Sequence, residues 1–94
     1  MNVYIIGSIS QEPTIRKVAA HFEQFGGCTV RHVKSESGNI DDLIDQCFDH
    51  ISNFADVVVV VPKSIHPVLV VGDGVRYEMA YAKSQDKPVL IWRD

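Results

Sequence analysis

Two short segments combine glycines with side chains able to hold or attack a small molecule. Gly7-Ser8-Ile9-Ser10 follows an apolar run and precedes a helical pattern. Amides at a helix amino terminus, with two hydroxyls beside them, make a site for a phosphate or a sugar hydroxyl. The same four residues also read as a plain strand-to-helix turn with a serine cap, and no G-x-G-x-x-G or Walker pattern is present. The second segment is Gly72-Asp73-Gly74-Val75-Arg76-Tyr77-Glu78. Its two glycines let a ligand approach the backbone closely, and Glu78 follows about one turn into the helix that they open. Glu78 has two readings: a carboxylate aimed into a crevice, or a solvated acid kept charged by the helix dipole. Asp73 likewise reads as a ligand contact or as an amino-terminal cap. His32, at the end of a strand pattern, reads as facing the crevice or as a partly buried histidine bonded to backbone. His66-Pro67, in mid-loop, reads as solvated.

Seven elements position these residues. Val3 to Gly7, Asp56 to Val61 and Pro88 to Trp92 are apolar on both faces, which suits strands covered on both sides in a parallel sheet. Cys28 to Val33 alternates loosely and is the remaining strand. Ile15, Val18, Ala19, Phe22 and Phe25 form a helical stripe that stops at Gly26-Gly27, with Pro13 in its first turn. Ile40, Leu43, Ile44, Cys47, Phe48 and Ile51 form a second stripe, capped by Asn39 and carrying Asp41 and Asp42 where the dipole favours them. The third helix runs from Val75 to about Ser84, with Tyr77 and Tyr81 on one side. The order βαβαβαβ with right-handed crossovers predicts a minimal doubly wound, flavodoxin-like α/β domain over 1–94, with a four-stranded parallel sheet ordered 2-1-3-4 and helices on both faces. Strands one and three are then neighbours whose crossovers leave on opposite faces. The binding crevice is expected there, beside the loops after Gly7 and after Pro62, and the long segment Lys63 to Gly74 is a candidate binding element.

Composition narrows the function classes. The chain has 94 residues, 46% of them apolar and 22% charged, which bounds it to one globular domain. A net charge of −3, with nine scattered Lys and Arg, argues against nucleic acid as the partner. The longest apolar run, Val57 to Val61, is far short of a membrane span, and no signal pattern opens the chain, so the cytoplasm is the expected compartment. Cys28 and Cys47 read as small core residues of a strand and a helix, and the four histidines show no ligand spacing, so no metal and no cofactor is expected.

Several of these stretches resemble a known family. Tyr4-Ile5-Ile6-Gly7-Ser8-Ile9, Ala55-Asp56-Val57-Val58-Val59 and Gly74-Val75-x-Tyr77-Glu78-x-x-Tyr81-Ala82 ahead of Lys87-Pro88-Val89 are similar to nucleoside 2-deoxyribosyltransferase-like proteins. The nearest branch is that of the 2'-deoxynucleoside 5'-monophosphate N-glycosidases, which share Gly7 to Ile9, Phe25-Gly26, His32-Val33 and Gly74 to Glu78 in this order. The resemblance implies that Glu78 attacks the anomeric carbon of a deoxyribosyl group and that Tyr4 orients the glutamate or the sugar. It also implies a base protonated by an aspartate, but that position falls on Cys47, or on Phe48 with a one-residue gap. Cys47 lies on the apolar stripe and reads as a packed core thiol, while Asp45 and Asp49 project to other faces of the helix. Where the monophosphate branch wraps the phosphate with an arginine and glycines, this chain has Ser10, Gln11, Glu12 and Pro13. Gly72 replaces a serine of the family, Ala80 a glycine, and its usual fifth strand and last helix are missing. Arg76 could offer a positive charge beside the motif, but an exposed helix arginine is the reading the sequence favours.

The expected function is therefore cleavage or transfer at the N-glycosidic bond of a deoxynucleoside or its monophosphate. Glu78 and Tyr4 are the catalytic candidates, and Gly7, Ser8, Ile9, Ser10, His32, Asp73 and Gly74 the substrate-binding ones. Non-catalytic nucleotide binding or regulation, and protein interaction by a shared fold alone, are the alternatives. The expected partners are a nucleoside or nucleotide and a second copy of the chain, as a homodimer with a shared site, with no membrane contact.

Overall fold

A computed structural model describes residues 1–32, 40–65 and 67–93. Among them, four strands form one parallel sheet in the order β2-β1-β3-β4, as the alternation of elements predicts. The strands are β1 (Asn2–Gly7), β2 (Thr29–His32), β3 (Val57–Val61) and β4 (Val89–Ile91), and the helices are α1 (Glu12–Glu23), α2 (Ile40–Asn53) and α3 (Asp73–Ser84). No helix among the described residues is long and apolar enough to cross a membrane.

The two-residue period of the strands sorts the core into two layers. Val3, Ile5, Val57, Val59 and Val61 point to one face and pack against Ile15, Val18 and Ala19 of α1. Tyr4, Ile6, Val58 and Val60 point to the other, against Ile51 of α2 and Val75 and Ala82 of α3. All five valines of β3 are buried, each stabilising the fold by roughly 1.5–3 kcal/mol relative to an exposed side chain. A β-branched run with both faces covered is what a central parallel strand requires. The register sets Tyr4 opposite Val58 and Gly7 opposite Val61, and the Asn2 N–H donates to the Asp56 carboxylate at 2.8 Å at the start of the pair. The crossover from β1 uses the α1 face and that from β3 the opposite face, so their carboxyl ends diverge into a crevice.

The element ends depart from the sequence reading in instructive ways. α1 closes at Glu23, before Gly26-Gly27, because the chain turns at once, with the Phe25 N–H on the Phe22 carbonyl at 3.1 Å and Gly27 at φ 88°. Phe25, expected on the buried stripe, is therefore 54% exposed. Cys28 belongs to that turn rather than to the strand, its N–H bonded to the Phe25 carbonyl. α3 begins at Asp73 with Gly72 as its cap residue, so Asp73 is the first helical residue and not the cap. No serine caps α1 either: Gln11 holds that position after a single 3-10 turn, Ile9–Gln11, whose last N–H bonds the Ser8 carbonyl at 2.8 Å. Val33, Asn39 and His66 lie outside the described residues, as do the side chains at 9 and 40–44 on which the remaining stripe and first-turn expectations rest.

Candidate functional site

A cavity of about 210 Å3 opens at the carboxyl end of β1. Strand β1 contributes Tyr4 and Gly7, and Ser8 continues the wall. Glu12 and Ile15 come from α1, His32 from the end of β2 and Cys47 from α2. The loop before α3 supplies Gly72, and α3 itself Gly74, Val75 and Glu78. Of the nine residues singled out from the sequence, six line one cavity: Tyr4, Gly7, Ser8, His32, Gly74 and Glu78. Ser10 and Asp73 are exposed and outside its lining, as is Arg76. The backbone of Ile9 passes through the adjoining turn.

Two glycines are required by close approach. A Cβ on Gly7 would sit 2.9 Å from Ile15 Cδ1 and 3.2 Å from the Val61 carbonyl, so glycine lets α1 press against the sheet beside the cavity. A Cβ on Gly72 would sit 2.8 Å from Ser8 Oγ, so the loops after β1 and before α3 close on one another there. Lys63 also reaches Gly72, at the rim. The long loop between β3 and α3 is pinned by backbone bonds between Lys63, Ser64 and Val70.

Contacts between α2 and α3 set Cys47 against Glu78. The Phe48 and Tyr81 rings stack with centroids 4.1 Å apart at 8°, and the Tyr81 hydroxyl hydrogen-bonds the Ser52 hydroxyl. Tyr81 follows Glu78 by three residues, one turn of helix, and Phe48 adjoins Cys47, so this stack fixes the two polar groups relative to each other. His50 stacks on the ring of Tyr4 from the same side, with centroids 5.2 Å apart.

Burial decides the ionisation of this group. Glu78 is pushed up to about 7 by loss of water, an effect that the adjacent Cys47 thiol only partly offsets. Glu78 is half-buried and lines the cavity, which sets this desolvation against the helix dipole that favours the charged form. Burial raises the Cys47 thiol to about 11, with the Glu78 charge adding to the rise. The Tyr4 hydroxyl is raised as well, first by burial and then by Cys47 and Glu78. Tyr4 is fully buried, and its hydroxyl has no hydrogen-bond partner of normal geometry among the described residues. Cys47 is buried, as expected of a core thiol, at 6% exposed, and it also lines the cavity.

A core hydroxyl with only a thiol against it is costly, and this gives a first expectation. Tyr4→Phe should raise stability by ~1 kcal/mol, because it deletes a buried polar atom left unsatisfied, while lowering any activity of the site. Denaturant midpoints check it. A loss of stability would mean that the hydroxyl is bonded in the folded protein.

Sequence reasoning missed Glu12 and Cys47 as lining residues. Glu12 adjoins Pro13 at the start of α1, and a first-turn residue of a helix that follows a ligand-facing loop is a signal that was available. Comparison of the chain with protein-family models, curated proteins and solved structures finds no match.

Proposed function

We propose that this cavity cleaves or transfers at the N-glycosidic bond of a deoxynucleoside or its monophosphate, with Glu78 as nucleophile and Tyr4 orienting it. The observation that carries the reading is the pairing of a half-buried glutamate with a buried tyrosine in one cavity at the switch point of the sheet. A carboxylate there attacks the anomeric carbon, and water or a second base resolves the glycosyl ester. The Gly7-Ser8 turn is positioned for a sugar hydroxyl. Glu12, in the lining where the resemblance sets a phosphate site, favours the unphosphorylated nucleoside.

Only the ionised carboxylate attacks, so turnover should rise with pH through about 7. The groups facing Glu78 in the cavity are Tyr4 and Cys47, whose protons are held more tightly than usual. Glu12 and His32 line the same space. Chromatography of the chain incubated with deoxynucleosides and their monophosphates from pH 5 to 9 tests the reading. Base release that climbs through neutrality supports it, and the absence of release from every substrate contradicts it.

A second reading, a non-catalytic nucleotide-binding module, is favoured by Cys47, a thiol where the resemblance calls for an aspartate. Ligand binding without base release would select it. In either reading a second copy closes the site, a proposal supported by the exposed apolar residues Val68, Leu69, Val70 and Tyr77 in the segments leading to Gly72 and Glu78. Sedimentation at micromolar concentration should show a dimer, and a clean monomer would remove the shared site.

A further inference from the structure

The lining of the cavity limits the leaving group that Glu78 can displace. A neutral nucleobase departs only with a proton on its ring nitrogen, and a positioned general acid contributes about 10²–10⁴-fold to such a step. The X–H groups beside Glu78 are the Cys47 thiol and the Tyr4 hydroxyl, and both hold their protons too tightly to serve near neutral pH. Glu12 is paired with Arg16 at 2.8 Å, an exposed pair at the cavity edge. His32 comes from the edge strand β2, on the far side of β1 from the strand that leads into α3.

The charge of the lining is a separate observation. It contains the carboxyl group of Glu78 and that of Glu12, which Arg16 offsets from outside the lining, and, among the described residues, no lysine or arginine. Partial burial strengthens the attraction of the Glu78 carboxylate for a cation. The buried Tyr4 hydroxyl, with only the weak acceptor of the Cys47 thiol against it, lines the same cavity, which marks it as a place where a ligand supplies a better polar contact.

We infer that the site takes glycosides whose leaving group is a cationic N-linked heterocycle, a pyridinium or a quaternised base, which departs as a neutral molecule and needs no acid. The inference rests on the glycosidic reading of Glu78 and names its substrate class. In the first step a Glu78 carboxylate oxygen forms a bond to the anomeric carbon as the carbon–nitrogen bond breaks. The electron pair of that bond returns to the ring nitrogen and cancels its positive charge, so no proton is transferred. In the second step water adds to the anomeric carbon, the ester bond breaks with its pair returning to Glu78, and the proton of the attacking water passes to solvent. The sum is glycoside cation plus water giving free heterocycle, free sugar and one proton.

The test compares leaving-group release from the pyridinium 2-deoxyriboside of nicotinamide, from 2'-deoxyadenosine and from neutral 4-nitrophenyl 2-deoxyriboside, with wild type and Glu78→Gln at pH 8. The expected result is a kcat/KM for the pyridinium glycoside about 100-fold or more above that for deoxyadenosine, the share otherwise supplied by a general acid. The pyridinium glycoside should also exceed the 4-nitrophenyl glycoside, and all release should vanish in Glu78→Gln. Deoxyadenosine cleaved as efficiently as the pyridinium glycoside, through Glu78, would reveal an acid in the cavity and overturn the inference while leaving the glycosidic reading intact. Equal or faster cleavage of the 4-nitrophenyl glycoside would overturn the preference for a cation. No release from the pyridinium glycoside would overturn the inference, and the absence of release from the whole deoxynucleoside panel as well would overturn the glycosidic reading with it.

Discussion

Glu78→Gln is expected to lower base release by several orders of magnitude while the protein stays folded and still binds its ligand. A nucleophile has no substitute in its own step, so the loss falls on kcat rather than on binding. The amide matches the carboxyl group in shape, and Phe48, Ser52 and Tyr81 continue to hold α2 against α3. Glu78→Ala should lose the same turnover and in addition some packing beside Cys47. Rates and melting temperatures for the three proteins on one deoxynucleoside panel separate chemistry from folding. If Glu78 serves binding alone, both variants change affinity modestly and there is no turnover to lose.

The second large effect concerns stability. Burial keeps the proton on Glu78 up to about pH 7 in the folded protein, whereas the unfolded chain releases it in the ordinary glutamate range. Between those values the unfolded state binds fewer protons than the folded one, so this residue makes stability fall as pH rises. The penalty is absent below the ordinary glutamate range and complete above about pH 7. Glu78→Gln carries no such charge, so at pH 8 it should be more stable than wild type by on the order of 2 kcal/mol. The gap should close by pH 4. Urea midpoints at a series of pH values check it, and a constant difference across the series would mean that Glu78 titrates as a solvated acid. Tyr4→Phe and Glu78→Gln are thus both expected to stabilise the fold, the pattern of polar groups held against a cost in stability.

The sheet was legible because each strand states its environment. Five consecutive valines in β3 fit only a strand covered on both faces, and the odd and even residues of β1 divide between the two core layers. With that topology, the position of the crevice followed from the crossovers, and Tyr4, Gly7, Ser8, His32, Gly74 and Glu78 fall along it. What the sequence could not show lies where two physical effects compete. Cys47 sits on an apolar stripe, and periodicity cannot tell a helix face that meets a core from one that meets a cavity wall. Glu78 stands near a helix amino terminus, where the dipole favours charge, and only the packing of α2 over it shows the desolvation set against that dipole. Phe25 fits the helical period, but the period does not reveal that the chain turns after Gln24. Asp73 is a good cap by residue type, yet the loop closing on Ser8 places Gly72 at the cap instead.

The central claim is that Glu78 bonds to the sugar. The most direct measurement is the intact mass of the protein, acid-quenched during turnover, followed by peptide mapping. The account predicts a fraction of chains heavier by one deoxyribosyl group, carried on Glu78 and absent from Glu78→Gln. Base release that continues undiminished in Glu78→Gln, or an adduct mapped to any other residue, would contradict it.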